Sequence, residues 1–182
     1  LIQTHDFPDY DAIASAFGLK KLLCRFGLDS DICYQGTIPI FVRDIFLRTI
    51  DIPMMPASSL DAAGRPVIVL DTNPYSSNLT PLDRATYSGF IDHHVSNHDP
   101  SRSYPFQDLR PAGSTSSIIA SYYDSAAVPI DQDTATALAI GLLTDTLNLT
   151  RGVFKIDLDS YLSLFAVMDR KKVAGAVMNK LT

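Results

Sequence analysis

Asp92, His93 and His94 stand in series, and three further groups of possible ligands accompany them in a fixed order along the chain. His5, Asp9 and Asp11 share one short stretch, Thr4-His-Asp-Phe-Pro-Asp-Tyr-Asp11. Asp71 follows the apolar run Val67-Ile-Val-Leu70, and Asp145 lies in Gly141-Leu-Leu-Thr-Asp-Thr146. Carboxylates mixed with imidazoles suit Mn²⁺, Mg²⁺ or Zn²⁺ rather than a soft thiolate-bound metal. The carboxylates suffice for two ions, and two close ions are a standard device for cleaving phosphate esters.

Each group also has a plainer reading. Asp9 and Asp11 could cap the helix after them. The spacing His-x-x-x-Asp-x-Asp nevertheless offers three ligands from one turn, which capping does not need. Asp71 could be no more than a strand end meeting a loop. Asp145 would sit near a helix C-terminus, the wrong end of the dipole for a carboxylate, which hints at positive charge nearby. Two histidines in series after Asp92 are the hardest to explain structurally. His98 falls outside the pattern and reads as a surface histidine.

The elements that must position these residues can be placed from periodicity. Leu1 to His5 reads as the end of a strand. Helical spacing of Ile13, Ala16, Phe17, Lys20 and Leu23 predicts a helix from Ala12 to Phe26, stopped by Gly27. Asp31 to Tyr34 is a short strand, and Pro39 opens a helix over Ile40 to Ile50. Pro53 and Pro56 break the stretch after that helix. Val67 to Leu70 fits a strand buried on both faces. A short helix is expected over Pro81 to Thr86, then strands over Tyr87 to Ile91 and Tyr104 to Leu109. Ser114 or Thr115 caps a helix to Tyr123, and Asp131 or Asp133 opens one through Leu143. Asp157 to Met168 and Val173 to Met178 complete the helices. Tyr122, Tyr123 and the scattered phenylalanines read as core.

Alternating strands and helices predict an α/β fold, a doubly wound and mainly parallel β-sheet with helices on both faces. Ligands of such sheets sit outside the carboxyl ends of the strands. His5, Asp71 and the Asp92-His93-His94 run all fall there.

Composition sets the outer bounds. The 182 residues fit one domain, and 46% hydrophobic against 19% charged residues describe a chain able to fold around a core. The net charge of −5 argues against coating long nucleic acid, but not against small phosphorylated substrates at a metal site. Cys24 and Cys33 make no metal-spaced pair and read as reduced core or near-core thiols of a cytoplasmic protein. No run approaches the ~20 apolar residues of a membrane span. The chain starts at Leu1 without a signal-peptide pattern and reads as a fragment of something longer.

The four ordered motifs resemble those of the DHH phosphoesterase family, and its RecJ-like and oligoribonuclease/phosphoadenosine phosphatase branch in particular. The match runs through His5 to Ser15, Asp71-Thr72, Asp92-His93-His94 and Gly141 to Thr146, with Gly113-Ser-Thr-Ser116 as a further similar segment. The resemblance implies two Mn²⁺ ions, with Mg²⁺ or Co²⁺ as substitutes. His5 and Asp9 would bind one, Asp11, His93 and Asp145 the other, and Asp71 would bridge them. His94 would face the scissile phosphate, and Asp92 would orient the histidines. Residues 1–182 would be the metal-binding catalytic domain. The glycine-rich C-terminal substrate domain of such proteins has no counterpart after Asp145. Tyr10 departs from the family, where a small residue is usual; it could narrow the site, stack on a base or lie on the surface.

The leading expectation is a manganese-dependent phosphoesterase that hydrolyses short nucleotides (nano-RNA, pAp-like monoesters or dinucleotides) by two-metal activation of water. Its partner is then a small nucleotide or short single strand, with no membrane and with a homodimer allowed. An exopolyphosphatase or inorganic pyrophosphatase is the alternative, although no strong basic cluster lies near the motifs. Arg151 and Lys155 are the candidate phosphate contacts, and the Arg170-Lys171-Lys172 run reads as a solvated helix face. A non-catalytic nucleotide sensor is a third reading, weakened by the complete ligand set.

Overall fold

The computed structural model describes residues 1–97 and 99–178; the side chains of residues 47–49 and 97 are outside that description, as is His98 and the surface position expected for it. The chain forms β1 (Ile2–Thr4), α1 (Tyr10–Arg25), β2 (Ile32–Tyr34), α2 (Ile40–Thr49), β3 (Met54–Pro56), β4 (Pro66–Leu70), β5 (Thr86–Asp92) and β6 (Phe106–Leu109). The helices α3 (Thr115–Ala126), α4 (Gln132–Asp145), α5 (Lys155–Phe165) and α6 (Arg170–Met178) complete it. All strand pairs are parallel, in a six-stranded sheet of order β3-β2-β1-β4-β5-β6. This is the α/β fold and the doubly wound strand order expected from the sequence.

The layering differs in one respect. Right-handed crossovers put the β4–β5 and β5–β6 connections on the face opposite α1 and α2. Among the described residues, those connections carry no α-helix. The second face is therefore closed by loop residues: Leu79 and Leu82 pack with Val67, Val69 and Phe90. The larger core lies under the helices, where Ile2, Leu70 and Ile91 of the sheet meet Phe17, Ile118, Leu138 and Leu142. Alternate residues of β4 serve the two cores, as a strand buried on both faces must.

The helix expected over Pro81 to Thr86 does not form. Thr86 is already paired with Pro66 in the sheet, and Arg84 takes a left-handed φ of 54°, so too few residues remain for a turn of helix. The prolines read as breakers instead flank and end β3, an edge strand, where a missing N–H costs nothing. Cys24 is exposed, and only Cys33 is a core thiol. Phe7, Phe26, Phe41, Phe106, Phe154 and Phe165 are exposed rather than core. Tyr10 is 3% exposed and packs against Phe46, so it belongs to the core and not to the surface.

Candidate metal centre

The strand order reverses between β1 and β4, and this is where an open α/β sheet leaves a crevice. Thr4 is paired with Leu70, so the next residues, His5 and Asp71, emerge side by side from the strand ends. Leu70 is paired with Ile91, which brings Asp92 and His93 alongside. Asp71 leaves the strand with a φ of 62°, and its N–H still donates to the Ile91 carbonyl at 2.9 Å. Left-handed backbone is costly for a residue with a Cβ, and such strain collects at functional sites.

Asp9 does cap α1: its Oδ1 accepts from the N–H groups of Asp11 at 3.0 Å and Ala12 at 3.1 Å. The same carboxylate lies 3.8 Å from His5 Nε2, so capping and site membership coexist. Asp11 does not cap its own helix. It is 1% exposed and reaches across to the first turn of α3. There the N–H groups of Thr115 (2.6 Å) and Ser116 (2.8 Å) donate to its two oxygens. A helix N-terminus is a natural seat for a carboxylate. The Thr115 hydroxyl donates to Asp71 Oδ1 at 2.8 Å, so α3 fixes two of the acidic residues at once. Ser114 caps α3 by accepting from the Ser117 N–H.

Gly141 lets α4 close on this centre. A Cβ there would stand 2.3 Å from Ser116 Oγ and 3.1 Å from Asp11 Oδ1. Four residues on, Asp145 Oδ2 lies 3.2 Å from His93 Nε2. His93 is thus the side chain that stands beside this carboxylate at the helix C-terminus.

The two inward histidines are held alike. His5 Nδ1 donates to the Asp6 carbonyl at 2.8 Å, and His93 Nδ1 to the Ala112 carbonyl at 3.0 Å. A carbonyl accepts only, so Nδ1 carries a proton in each ring and Nε2 is the nitrogen turned to the centre, able to ligate a metal once unprotonated. His5 Nε2 is 3.6 Å from Asp71 Oδ2, and His93 Nε2 is 3.5 Å from Asp71 Oδ1. His93 Nε2 is buried and makes no hydrogen bond. His5, Asp9 and Asp71 have ligand atoms within 4.8 Å of one another, as do Asp11, His93 and Asp145. Asp71, His93 and His94 form a third such group.

The electrostatics call for a cation. Burial raises the Asp11 carboxyl well above its usual range, and Asp71 and Asp145 push it further. Burial and Asp71 likewise raise Asp145, with His93 opposing. Burial pulls His5 down, but Asp71 and Asp9 outweigh it and push the ring up to about 11. Crowded carboxylates, a buried imidazole nitrogen without a partner and a fixed tautomer are what a divalent ion would satisfy. The donor set therefore fits hard or borderline metals.

His94 is placed differently. Its Nδ1 is 2.7 Å from Asp92 Oδ1, a bond that raises the ring to about 9 against the effect of burial. The side chain is 46% exposed and lines a cleft with His93, Asp145 and Arg151. Arg151 is held there by donation to the Asp145 carbonyl at 2.9 Å. Before it, Leu147, Asn148 and Leu149 all have left-handed φ. Lys155 pairs instead with Asp159 and does not line this cleft.

Asp157 is legible in the sequence only as a helix start. It is 0% exposed, and its oxygens accept from the Gly113 N–H at 2.9 and 2.8 Å and from the Phe154 N–H at 2.7 Å. It thereby anchors the segment that leads into α3. A carboxylate near the start of a predicted helix carries no signal of a partner 44 residues away.

Fold and site together define an α/β domain with an aspartate–histidine centre at the switch point of a parallel sheet. Residues 1–142 match the model of the DHH family N-terminal domain, and the chain belongs to that family. An uncharacterized protein of Methanocaldococcus jannaschii is 34% identical over all of this chain, which covers 39% of that protein. A probable manganese-dependent inorganic pyrophosphatase of Streptococcus thermophilus is 30% identical over 80% of this chain and 47% of its own length. The chain thus spans less than half of these relatives. A solved structure described as a candidate family II inorganic pyrophosphatase from Methanococcus jannaschii superposes with a TM-score of 0.78 at 21% identity, over 98% of this chain and 58% of its own. An exopolyphosphatase-related protein from Bacteroides fragilis gives 0.75 at 19%, over 98% and 55%. At these identities the two structures establish the fold. Among the described residues, no helix is long and apolar enough to cross a membrane.

Proposed function

We propose that this domain is the metal-binding part of a phosphohydrolase that cleaves phosphoester bonds of short nucleotides, with Mn²⁺ as its metal and Mg²⁺ or Co²⁺ as substitutes. One observation carries the reading: Asp71 shares a ligand group with His5 and Asp9, and its other oxygen lies 3.5 Å from Nε2 of His93, which shares a group with Asp11 and Asp145, so both imidazole Nε2 atoms flank one carboxylate. In this reading His5 and Asp9 hold one ion, Asp11, His93 and Asp145 hold the other, and Asp71 serves both. Bound ions would supply an acidified water as nucleophile and neutralise charge on the phosphoryl oxygens.

The chain's own groups do the rest. Asp92 accepts from His94 Nδ1–H and favours the imidazolium form, whose Nε2–H can be given to the departing oxygen. Arg151, tethered beside Asp145, offers its remaining N–H groups to a phosphate of the substrate. Thr115, Ser116 and Asp157 hold Asp11 and Asp71 in place rather than touch substrate.

Hydrolysis of pyrophosphate or polyphosphate is the second reading, favoured by what the Streptococcus relative is named for. A phosphoanhydride substrate wants several cations around it, and Arg151 is the cationic side chain lining the cleft beside His94. A non-catalytic sensor is weakened because no ligand position is lost. The test is Mn²⁺-dependent hydrolysis by the full-length protein of short RNA, pAp, linear and cyclic dinucleotides, pyrophosphate and polyphosphate. Turnover of a nucleotide, abolished in Asp71→Ala, supports the first reading. Turnover of pyrophosphate or polyphosphate alone supports the second, and none at all with two ions bound refutes both.

A further inference from the structure

A second cleft opens on the other flank of the metal centre. It is about 210 Å³, and Asp9, Asp11 and Asp145 form its acidic edge. Its remaining wall is largely apolar: Pro39, Phe41 and Val42 from the start of α2, with Tyr10 beneath. The volume is smaller than the ~300 Å³ at which drug-sized pockets begin, so it admits one ring system. Val42 is 1% exposed and forms part of the core, whereas Phe41 is 58% exposed. The Tyr10 ring supports Phe41 from below, 6.2 Å between centroids and tilted by 52°. The Tyr10 hydroxyl donates to the Phe41 carbonyl at 3.4 Å, which ties the start of α2 to α1. An exposed aromatic ring is thus carried on a supported backbone beside three carboxylates of the centre.

Inorganic pyrophosphate has no use for such a wall. A nucleotide does, because every base has a face to stack and a ring to bury. We infer that the cleft of Pro39, Phe41 and Val42 is a nucleobase subsite, Phe41 stacking on a base whose attached phosphate lies at the Asp9–Asp71–Asp145 centre. The inference rests on the proposed phosphohydrolase reading and names its substrate class as nucleotides. The sequence allows a stacking role for Tyr10. Burial removes Tyr10 from that role, and Phe41, on the next helix, takes its place.

The test is equilibrium binding of a linear dinucleotide carrying 2-aminopurine to the full-length protein, with Ca²⁺ in place of Mn²⁺ to hold back hydrolysis. Stacking quenches 2-aminopurine fluorescence, so the signal reads contact with the ring and not turnover. The wild type should quench the probe. Phe41→Ala should lose the quench and bind roughly tenfold or more weakly. Phe41→Trp should restore both, and pyrophosphate binding should be equal in all three proteins. Unchanged dinucleotide affinity and quench in Phe41→Ala would overturn the inference. So would an equal loss of dinucleotide and pyrophosphate binding at an unchanged melting temperature. Absence of metal-dependent hydrolysis in the wild type, with the quench intact, would instead count against the phosphohydrolase reading alone.

Discussion

The N–H of Thr115 donates to Asp11 Oδ2 at 2.6 Å, joining the first turn of α3 to a carboxylate 104 residues earlier in the chain. The Ser116 N–H takes the other oxygen, and the Thr115 hydroxyl reaches Asp71. The acidic residues are therefore built around a helix N-terminus that fixes their positions independently of any ion. Thr115→Val removes the hydroxyl but keeps the backbone donors. It should weaken Mn²⁺ binding by roughly 10- to 100-fold, as loss of groups that orient metal ligands usually does. Isothermal titration with Mn²⁺ measures this directly.

Asp157→Ala should be the most destabilising single change at the site. It strands the buried N–H of Gly113, at a cost of about 1–3 kcal/mol, and also removes the acceptor of the partly buried Phe154 N–H. Asp157→Asn keeps one acceptor and should cost less. Urea unfolding of the two variants gives the order, and the reverse order would deny Asp157 its anchoring role.

His94→Ala should keep the wild-type metal content while turnover falls by roughly 10²- to 10⁴-fold, the usual worth of a positioned acid. Metal analysis beside steady-state rates separates the two effects. Loss of an ion in His94→Ala would move His94 into the ligand set, which its group with Asp71 and His93 would accommodate.

The start of α4 gives a pH-dependent prediction. Asp131 caps the helix, accepting from the Thr134 N–H at 2.9 Å. Burial raises its carboxyl, but the Thr134 N–H and hydroxyl and Lys21 outweigh this, and the net shift is downward. A folded-state value below the unfolded one stabilises the protein above the ordinary Asp range, near pH 4. That contribution fades as pH falls through the folded value. Asp131→Ala should therefore cost about 1 kcal/mol at pH 7. The gap should narrow below about pH 4, which melting curves across pH would show.

The parallel sheet and the strand-end positions of His5, Asp71 and Asp92 were legible because each rests on local pattern: apolar runs ending in a charged residue. The role of α3 as the seat of Asp11 was not legible. A Ser-Thr-Ser cap looks the same whether its free N–H groups meet water or a distant carboxylate. Asp157 and Phe41 were missed for the same reason, since both act through partners brought near by topology. The false helix at Pro81 arose where a strand pairing set the boundary that local signals could not.

The central claim is that Asp71 joins two ions. The most direct measurement is the number of Mn²⁺ bound per chain, by titration and elemental analysis, in the wild type and in Asp71→Ala. The account predicts two ions in the wild type, and at most one ion with no turnover in the variant. A single ion in the wild type, or two ions and activity retained without Asp71, would contradict it.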